Sequence, residues 1–226
     1  MPLIYQQTCA LWRMLVLCLL ATQLSFAQAP GDSTLWVVKP MDVIPPATLT
    51  LAGLLTKGKV SSRLNDGVYR QYPHFHTTAD EYLTWAPGMV SLGLAASGVK
   101  GRHKLGDQLI LAILSNVIAQ GATQSLKRLV TEQRPNGADY QSFPSGHTTT
   151  AFANATILHQ EYGQQSVLYS LGGYGTATAV GAMRIMNHHH WLSDVLVGAG
   201  IGIAATKVVY ISYPWLQKKV RQIRKK

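Results

Sequence analysis

Three short stretches between residues 127 and 194 carry the residue types needed to hold and cleave a phosphate ester. The first is Lys127, then six residues, then Arg134-Pro135. The second is Pro144-Ser145-Gly146-His147. The third is Arg184, five residues, His190, three residues, Asp194. A phosphoryl group in transit carries negative charge on its non-bridging oxygens, so its catalysis is mostly positioning and charge stabilisation. Arg134 and Arg184 each offer a planar fork to two oxygens, and Lys127 offers a point charge. Pro144 to His147 reads as a turn entering a helix. The backbone N–H groups of a helix start face anions, Gly146 lets the backbone approach closely, and Ser145 adds a hydroxyl donor.

The two histidines divide the remaining work. His190 and Asp194 are four apart, so on a helix they share a face and can hydrogen-bond. A carboxylate on one ring nitrogen fixes the tautomer and frees the other nitrogen to attack. His190 is therefore assigned as nucleophile, forming a phosphohistidine, with Asp194 as its orienter. His147 protonates the leaving oxygen and then activates water.

In this order and at these spacings, the three stretches resemble the motifs of the type 2 phosphatidic acid phosphatase (PAP2) superfamily. That superfamily also includes bacterial class A acid phosphatases and vanadium haloperoxidases. The resemblance covers about residues 80 to 212, helix placement included, and points to the bacterial membrane-associated lipid phosphatase branch. It implies catalytic roles for His190, His147 and Asp194, and phosphate binding by Lys127, Arg134, Ser145, Gly146 and Arg184. It also implies a reaction that needs no metal and no cofactor. The sequence departs from the family at Met183, where Ser is usual before the arginine. One hydroxyl near the phosphate is thereby absent, while Arg184, His190 and Asp194 all remain.

Plainer readings compete at several of these residues. Asn187-His188-His189-His190 could be a metal site, but the offset of His190 to Asp194 and the distant cations fit phosphate better. His188 and His189 read as a solvated loop or as rim contacts to a head group. His159, His103, His74 and His76 have no evident partner and read as structural or surface residues. Lys127-Arg128 has the look of a helix C-terminal pair. The offset to Arg134 moves Lys127 to phosphate, and Arg128 keeps the capping role. Pro135 stiffens the turn after Arg134. Nothing in the sequence requires Asp139 or Tyr140 to touch substrate.

The elements that must position these residues are read from apolar runs. Residues 28–42 form an extended lead broken by Pro30, Gly31 and Pro40. Val43 to Thr56 is apolar but short against a ~30 Å bilayer core, which takes about 20 residues. Residues 60–80 form a polar connection with room for a short helix. Tyr82–Val99, Gln108–Leu126, Ser145–His159, Tyr162–Met183 and Trp191–Trp215 are the clearer segments. Gly198 and Gly202 suit close helix contact in a bilayer. The expected fold is all-α: a transmembrane bundle of five to six helices with the PAP2/haloperoxidase-like phosphate site at one end.

Charge placement orients that bundle. The net charge of +10 is concentrated at Lys100, Arg102, His103 and Lys104 and in the tail Lys218, Lys219, Arg221, Arg224, Lys225 and Lys226. With one crossing per segment, both basic clusters share one side and all three motifs share the other. The positive-inside rule puts the clusters in the cytoplasm, so the site faces outward, toward the periplasm of a bacterial inner membrane. No nucleic-acid motif accompanies the basic tail, which reads as juxtamembrane.

The N-terminus reads as a secretory signal, residues 1–27: Arg13, an apolar run, and Ser25-Phe26-Ala27 at the cleavage position. An uncleaved anchor is the alternative. Cys9 and Cys18 both fall in this segment. With cleavage, Val43–Thr56 must dip and return or lie on the surface; without it, that segment crosses outward. The resulting division is 28–80 as lead and short apolar segment, 81–213 as catalytic helical domain, and 214–226 as basic tail. The resemblance and the outward site imply a phosphatase for a lipid phosphate or pyrophosphate. Undecaprenyl pyrophosphate, lipid A phosphate, phosphatidylglycerophosphate and phosphatidate all fit. The alternative is a soluble periplasmic class A acid phosphatase of broad specificity.

Overall fold

The computed structural model describes residues 38–223. The expected signal segment and both cysteines fall outside the described residues. The chain is all-helical, with eight helices and no strand among the described residues. They are α1 (Pro40–Thr56), α2 (Lys59–Gln71), α3 (Ala79–Leu83), α4 (Ala86–Ala96), α5 (Leu105–Leu129), α6 (Gly146–Tyr162), α7 (Val167–Met186) and α8 (Leu192–Ile223).

Eight helices replace the expected five to six for local reasons. The polar stretch 60–80 hides an apolar stripe: Ser61, Leu64, Asn65 and Val68 are buried at helical spacing, which makes α2 an amphipathic helix. The run Tyr82–Val99 is divided between α3 and α4, with Pro87 in the first turn of α4, where a missing N–H costs nothing. The five long segments otherwise fall where the apolar runs place them.

Helix α6 forms the centre of the bundle, buried along nearly its whole length and packed on α4, α5, α7 and α8. The glycines of α8 make that packing possible. A Cβ at Gly198 would stand 2.7 Å from the Ser145 carbonyl oxygen, and one at Gly202 would collide with the backbone at Thr149 and Ala153. Backbones therefore touch where a side chain would hold them apart.

Helix α1 runs antiparallel along α8. Gly53 faces Ser193 and Val197, Gly200 faces Pro46 and Thr50, and Asp42 Oδ1 accepts a hydrogen bond from Lys207 Nζ at 2.9 Å. At its other end Lys57 pairs with Glu132 at 2.9 Å and sits over the Phe143 ring. The segment thus travels from the far end of the bundle to the end that holds the motifs.

Among the described residues two stretches are long and apolar enough to cross a membrane, Leu105–Leu129 and Leu192–Val220. Helix α5 turns much of its apolar surface outward through Leu109, Ile110, Ile113, Val117 and Ile118, and α1, α4 and α7 add Leu55, Met89 and Leu168. Outward apolar surface on several helices is far more than scattered surface leucines would give.

The end opposite the motifs is tied by polar contacts. His103 pairs with Glu161 at 2.8 Å, Glu161 also accepts from the Tyr210 hydroxyl at 2.8 Å, and Tyr213 donates to Asp107 at 2.6 Å. His159 meets the Ser170 hydroxyl at 2.7 Å. Both histidines have partners after all, supplied by other helices and invisible in the linear sequence. His74 and His76 are exposed, as expected.

Candidate active site

Four helix ends converge: the C-termini of α5 and α7 and the N-termini of α6 and α8. Lys127 stands in the last turn of α5, and its Nζ donates to the backbone carbonyls of Gln141 and Ser142. The α5–α6 loop folds back on itself: Ser142 N–H donates to the Glu132 carbonyl at 3.0 Å and Arg134 N–H to the Asp139 carbonyl at 3.0 Å. Its tip has Gly137 at φ +73°, a region that favours glycine. This turn presents Arg134 to the site. Arg134 Nε donates to Asp139 Oδ1 at 2.8 Å, and one Nη donates to the His189 carbonyl at 3.0 Å and stands 3.2 Å from His190 Nε2.

Ser145 caps α6. Its N–H donates to the Asp194 carbonyl at 3.1 Å, which docks the start of α6 against α8. Its hydroxyl, expected to face phosphate, is buried and 2.9 Å from the Thr148 hydroxyl. Gly146 and His147 follow in the first turn, both half-buried. The His147 ring makes no hydrogen bond among the described residues, so both its nitrogens are available to a ligand.

Arg184 ends α7 at only 7 % exposure. One Nη donates to Asp80 Oδ2 at 2.7 Å, and its buried Nε has no partner among the described residues. The loop after α7 turns sharply, with His188 at φ +55°. Its backbone is knitted to the α5–α6 loop: Asn136 N–H donates to the His188 carbonyl at 3.1 Å, and Trp191 Nε1–H to the Gln133 carbonyl at 2.8 Å. His188 packs edge-on against Tyr69 of α2, with centroids 4.9 Å apart. His188 and His189 are half-buried at the rim. Among the described residues no three His, Cys, Asp or Glu side chains converge as ion ligands.

His190 and Asp194 come together, though not as a pair within one helix. His190 stands in the loop before α8, and Asp194 in the first turn of α8 reaches back to it, with His190 Nδ1 3.3 Å from Asp194 Oδ2. That carboxylate is fully buried and well supplied with donors: the Ser142 hydroxyl at 2.5 Å, the Trp191 N–H at 2.9 Å and the Ser193 hydroxyl at 3.3 Å. A carboxylate so held accepts from Nδ1–H and leaves a lone pair on Nε2. Burial pushes the His190 imidazole well below its ordinary pKa, and the charges of Arg134, Arg184 and Lys127 push the same way. Both effects favour the neutral ring, whose Nε2 faces Arg134.

The structure thus gathers Lys127, Arg134, Gly146, His147, Arg184, His190 and Asp194 at one end of the bundle, with Ser145 beneath them. Sequence reasoning missed Asp80, Ser142, Asn187 and Thr77. Asn187 exchanges two hydrogen bonds with the Thr77 backbone, at 2.8 and 3.0 Å. No local signal marks Asp80: Glu81 follows it before the charge-free run from Tyr82 begins, and its partner Arg184 is 104 residues away.

An all-helical bundle with three cations and a buried His–Asp pair at one end defines a class of anion-handling helical proteins. Residues 108–218 match the model of the PAP2 superfamily, and this part of the chain is a PAP2 superfamily domain. The lipid A 1-phosphatase of Porphyromonas gingivalis is 39 % identical over 176 residues, which cover 76 % of this chain and 39 % of that protein. The chain thus matches well under half the length of this curated relative. Two solved structures share the fold. LpxE of Aquifex aeolicus aligns with a TM-score of 0.53 at 22 % identity, over 69 % of this chain and 98 % of its own. A transmembrane PAP2 type phosphatidylglycerolphosphate phosphatase from Bacillus subtilis aligns with a TM-score of 0.52 at 18 % identity, over 73 % and 94 %.

Proposed function

We propose that this chain is a membrane-embedded phosphatase that removes phosphate from a lipid phosphate or pyrophosphate through a phosphohistidine. The observation that carries the proposal is the buried His190, with Nδ1 on Asp194 and Nε2 3.2 Å from Arg134. The nitrogen that attacks and a cation that can receive a phosphate oxygen stand side by side.

In the first step His190 Nε2 attacks phosphorus, the P–O bond to the lipid breaks, and protonated His147 gives its proton to the leaving oxygen. In the second, neutral His147 takes a proton from water, the water oxygen attacks phosphorus, and the P–N bond breaks. Inorganic phosphate leaves, and both histidines return to their starting forms. Lys127, Arg134 and Arg184 hold the three non-bridging oxygens, which is where charge must be offset. Backbone N–H groups at the start of α6 add donors near Gly146. Ser145 supports this turn through Thr148. No step calls for a metal or cofactor.

The outward apolar surface of α1, α4, α5 and α7 favours a bilayer over the soluble acid phosphatase reading. The basic loop Lys100–Lys104 and the start of the basic tail mark the cytoplasmic end, so the site opens to the periplasm at the lipid head-group level. Residues 81–213 form the catalytic unit, with α1 and α2 packed on it and 214–226 as tail. Among lipids, the name of the P. gingivalis relative gives lipid A phosphate first place. Phosphate release by detergent-purified protein tests this, using lipid A, undecaprenyl pyrophosphate, phosphatidylglycerophosphate, phosphatidate and p-nitrophenyl phosphate, with His190→Ala as control. Preference for one lipid sustains the proposal; equal turnover of the soluble ester without detergent ends it.

A further inference from the structure

We infer that Asp80, outside the matched family region 108–218, is a positioning residue for the reaction, acting through Arg184. The inference rests on the phosphatase reading of the site. Asp80 is 1 % exposed and its Oδ2 accepts from an Arg184 Nη at 2.7 Å. The short helix α3 that carries it is itself fastened. The Thr84 hydroxyl donates to the Asp80 carbonyl at 2.6 Å, Asn187 Nδ2 reaches Asp80 Oδ1 at 3.4 Å, and Asn187 ties the Thr77 backbone to the end of α7. A 104-residue sequence separation is thus closed by contacts of Asp80 with Arg184 and with Asn187, both at the end of α7.

The chemistry of the pair favours orientation over stability. A buried ion pair repays little more than its own desolvation, and an apolar pair of like volume often does as well for stability. A guanidinium has five N–H donors in a rigid plane. Fixing one Nη on Asp80 fixes the direction of the rest, including the buried Nε, which has no partner among the described residues and is left for an oxyanion. Without the carboxylate, a long and rotamer-rich side chain must be ordered by substrate itself, and the cost falls on the reacting geometry.

Asp80→Asn keeps shape and removes charge. It is expected to lower kcat about tenfold or more, with KM changed less than kcat, because a misaimed arginine loses more in the transition state than in the ground state. Asp80→Asn placed in an Arg184→Lys background is expected to add less than about threefold, since the fork it aims is already gone. Affinity for orthovanadate, measured by calorimetry in detergent, is expected to fall in parallel with kcat. If Asp80→Asn does not fold, Asp80→Glu retains the charge and displaces it, and a kcat loss with the unfolding temperature kept supports the same role. Turnover and vanadate affinity near wild type in Asp80→Asn or Asp80→Glu overturn the inference, as do losses that multiply in full with Arg184→Lys. Wild type that binds vanadate but releases no phosphate from any lipid defeats the substrate reading and leaves the clamp standing. Wild type that does neither defeats both.

Discussion

The bundle carries a histidine–carboxylate pair at each end, and the two differ in what surrounds them. At one end His190 Nδ1 is 3.3 Å from Asp194; at the other His103 Nδ1 is 2.8 Å from Glu161. By the His–carboxylate contact alone the second is the better pair. Yet His103 is bordered by phenols, with Tyr210 and Tyr213 edge-on to its ring at 5.7 and 5.8 Å. Its carboxylate partner also accepts from the His103 N–H and from Tyr210. His190 instead turns its second nitrogen to Arg134, and Lys127 and Arg184 add their charge there. A His–carboxylate contact is thus no signature of catalysis by itself. What distinguishes the ends is the field that meets the second nitrogen: guanidiniums that can receive an oxyanion, or aromatic edges that hold a helix join together.

The largest break in that contrast is His190→Ala. It removes the proposed nucleophile, so lipid phosphate release should fall to the background of the assay while the protein remains folded in detergent. Activity near wild type would sink the assignment of His190. Arg134→Lys comes next. Lysine keeps the charge but cannot donate at once to Asp139, the His189 carbonyl and a phosphate oxygen, as the fork does. A kcat loss of roughly 10²-fold is expected, on the scale of one lost transition-state donor. A loss under threefold would show that charge alone suffices.

A smaller and sharper effect is on pH dependence. Attack requires neutral His190, and burial first, then the charges of Arg134, Arg184 and Lys127, hold its pKa well below the ordinary histidine value of 6.5. Lowering the pH protonates the ring and stops attack, so the acid limb of kcat/KM should fall below 6.5. Arg134→Gln removes one of those charges, the ring gains a proton more easily, and the limb should move to higher pH. A limb that stays in place would mean that another group sets it.

The motifs were legible because phosphate chemistry demands residue types at short, regular offsets, and Lys127, Arg134, His147, Arg184, His190 and Asp194 follow them. The long helices were legible because charge-free runs have few other solutions in a bilayer. Helix α2 was harder to see, since Ser61 and Asn65 alternate with Leu64 and Val68 on its buried face and make an amphipathic stripe look polar. The pairing of His190 with Asp194 was foreseen and its reason was not: the carboxylate reaches back from the first turn of α8 into a loop. Asp80 and Glu161 could not be assigned at all. Their partners are 104 and 58 residues away, and nothing local marks an acid that will meet a distant arginine or histidine inside a bundle.

The smallest expected effect tests the other half of the comparison. His103→Gln keeps a polar side chain at the join of α5, α6 and α8 but loses the ring that packs on Tyr210 and Tyr213. It also weakens one of the contacts to Glu161, which retains the His103 N–H and the Tyr210 hydroxyl. Because the carboxylate is not stripped of all its donors, the cost should be that of one imperfectly replaced buried hydrogen bond, about 1–3 kcal/mol. It should appear as a lower unfolding temperature in detergent, with turnover within about twofold of wild type, since an ordinary hydrogen-bond loss far from the phosphate leaves the reacting geometry in place. A large drop in turnover with unchanged unfolding would mean that the join opposite the motifs is coupled to the site through α6, whose first turn carries His147 and whose last turn carries Glu161. The two ends would then be one device rather than two.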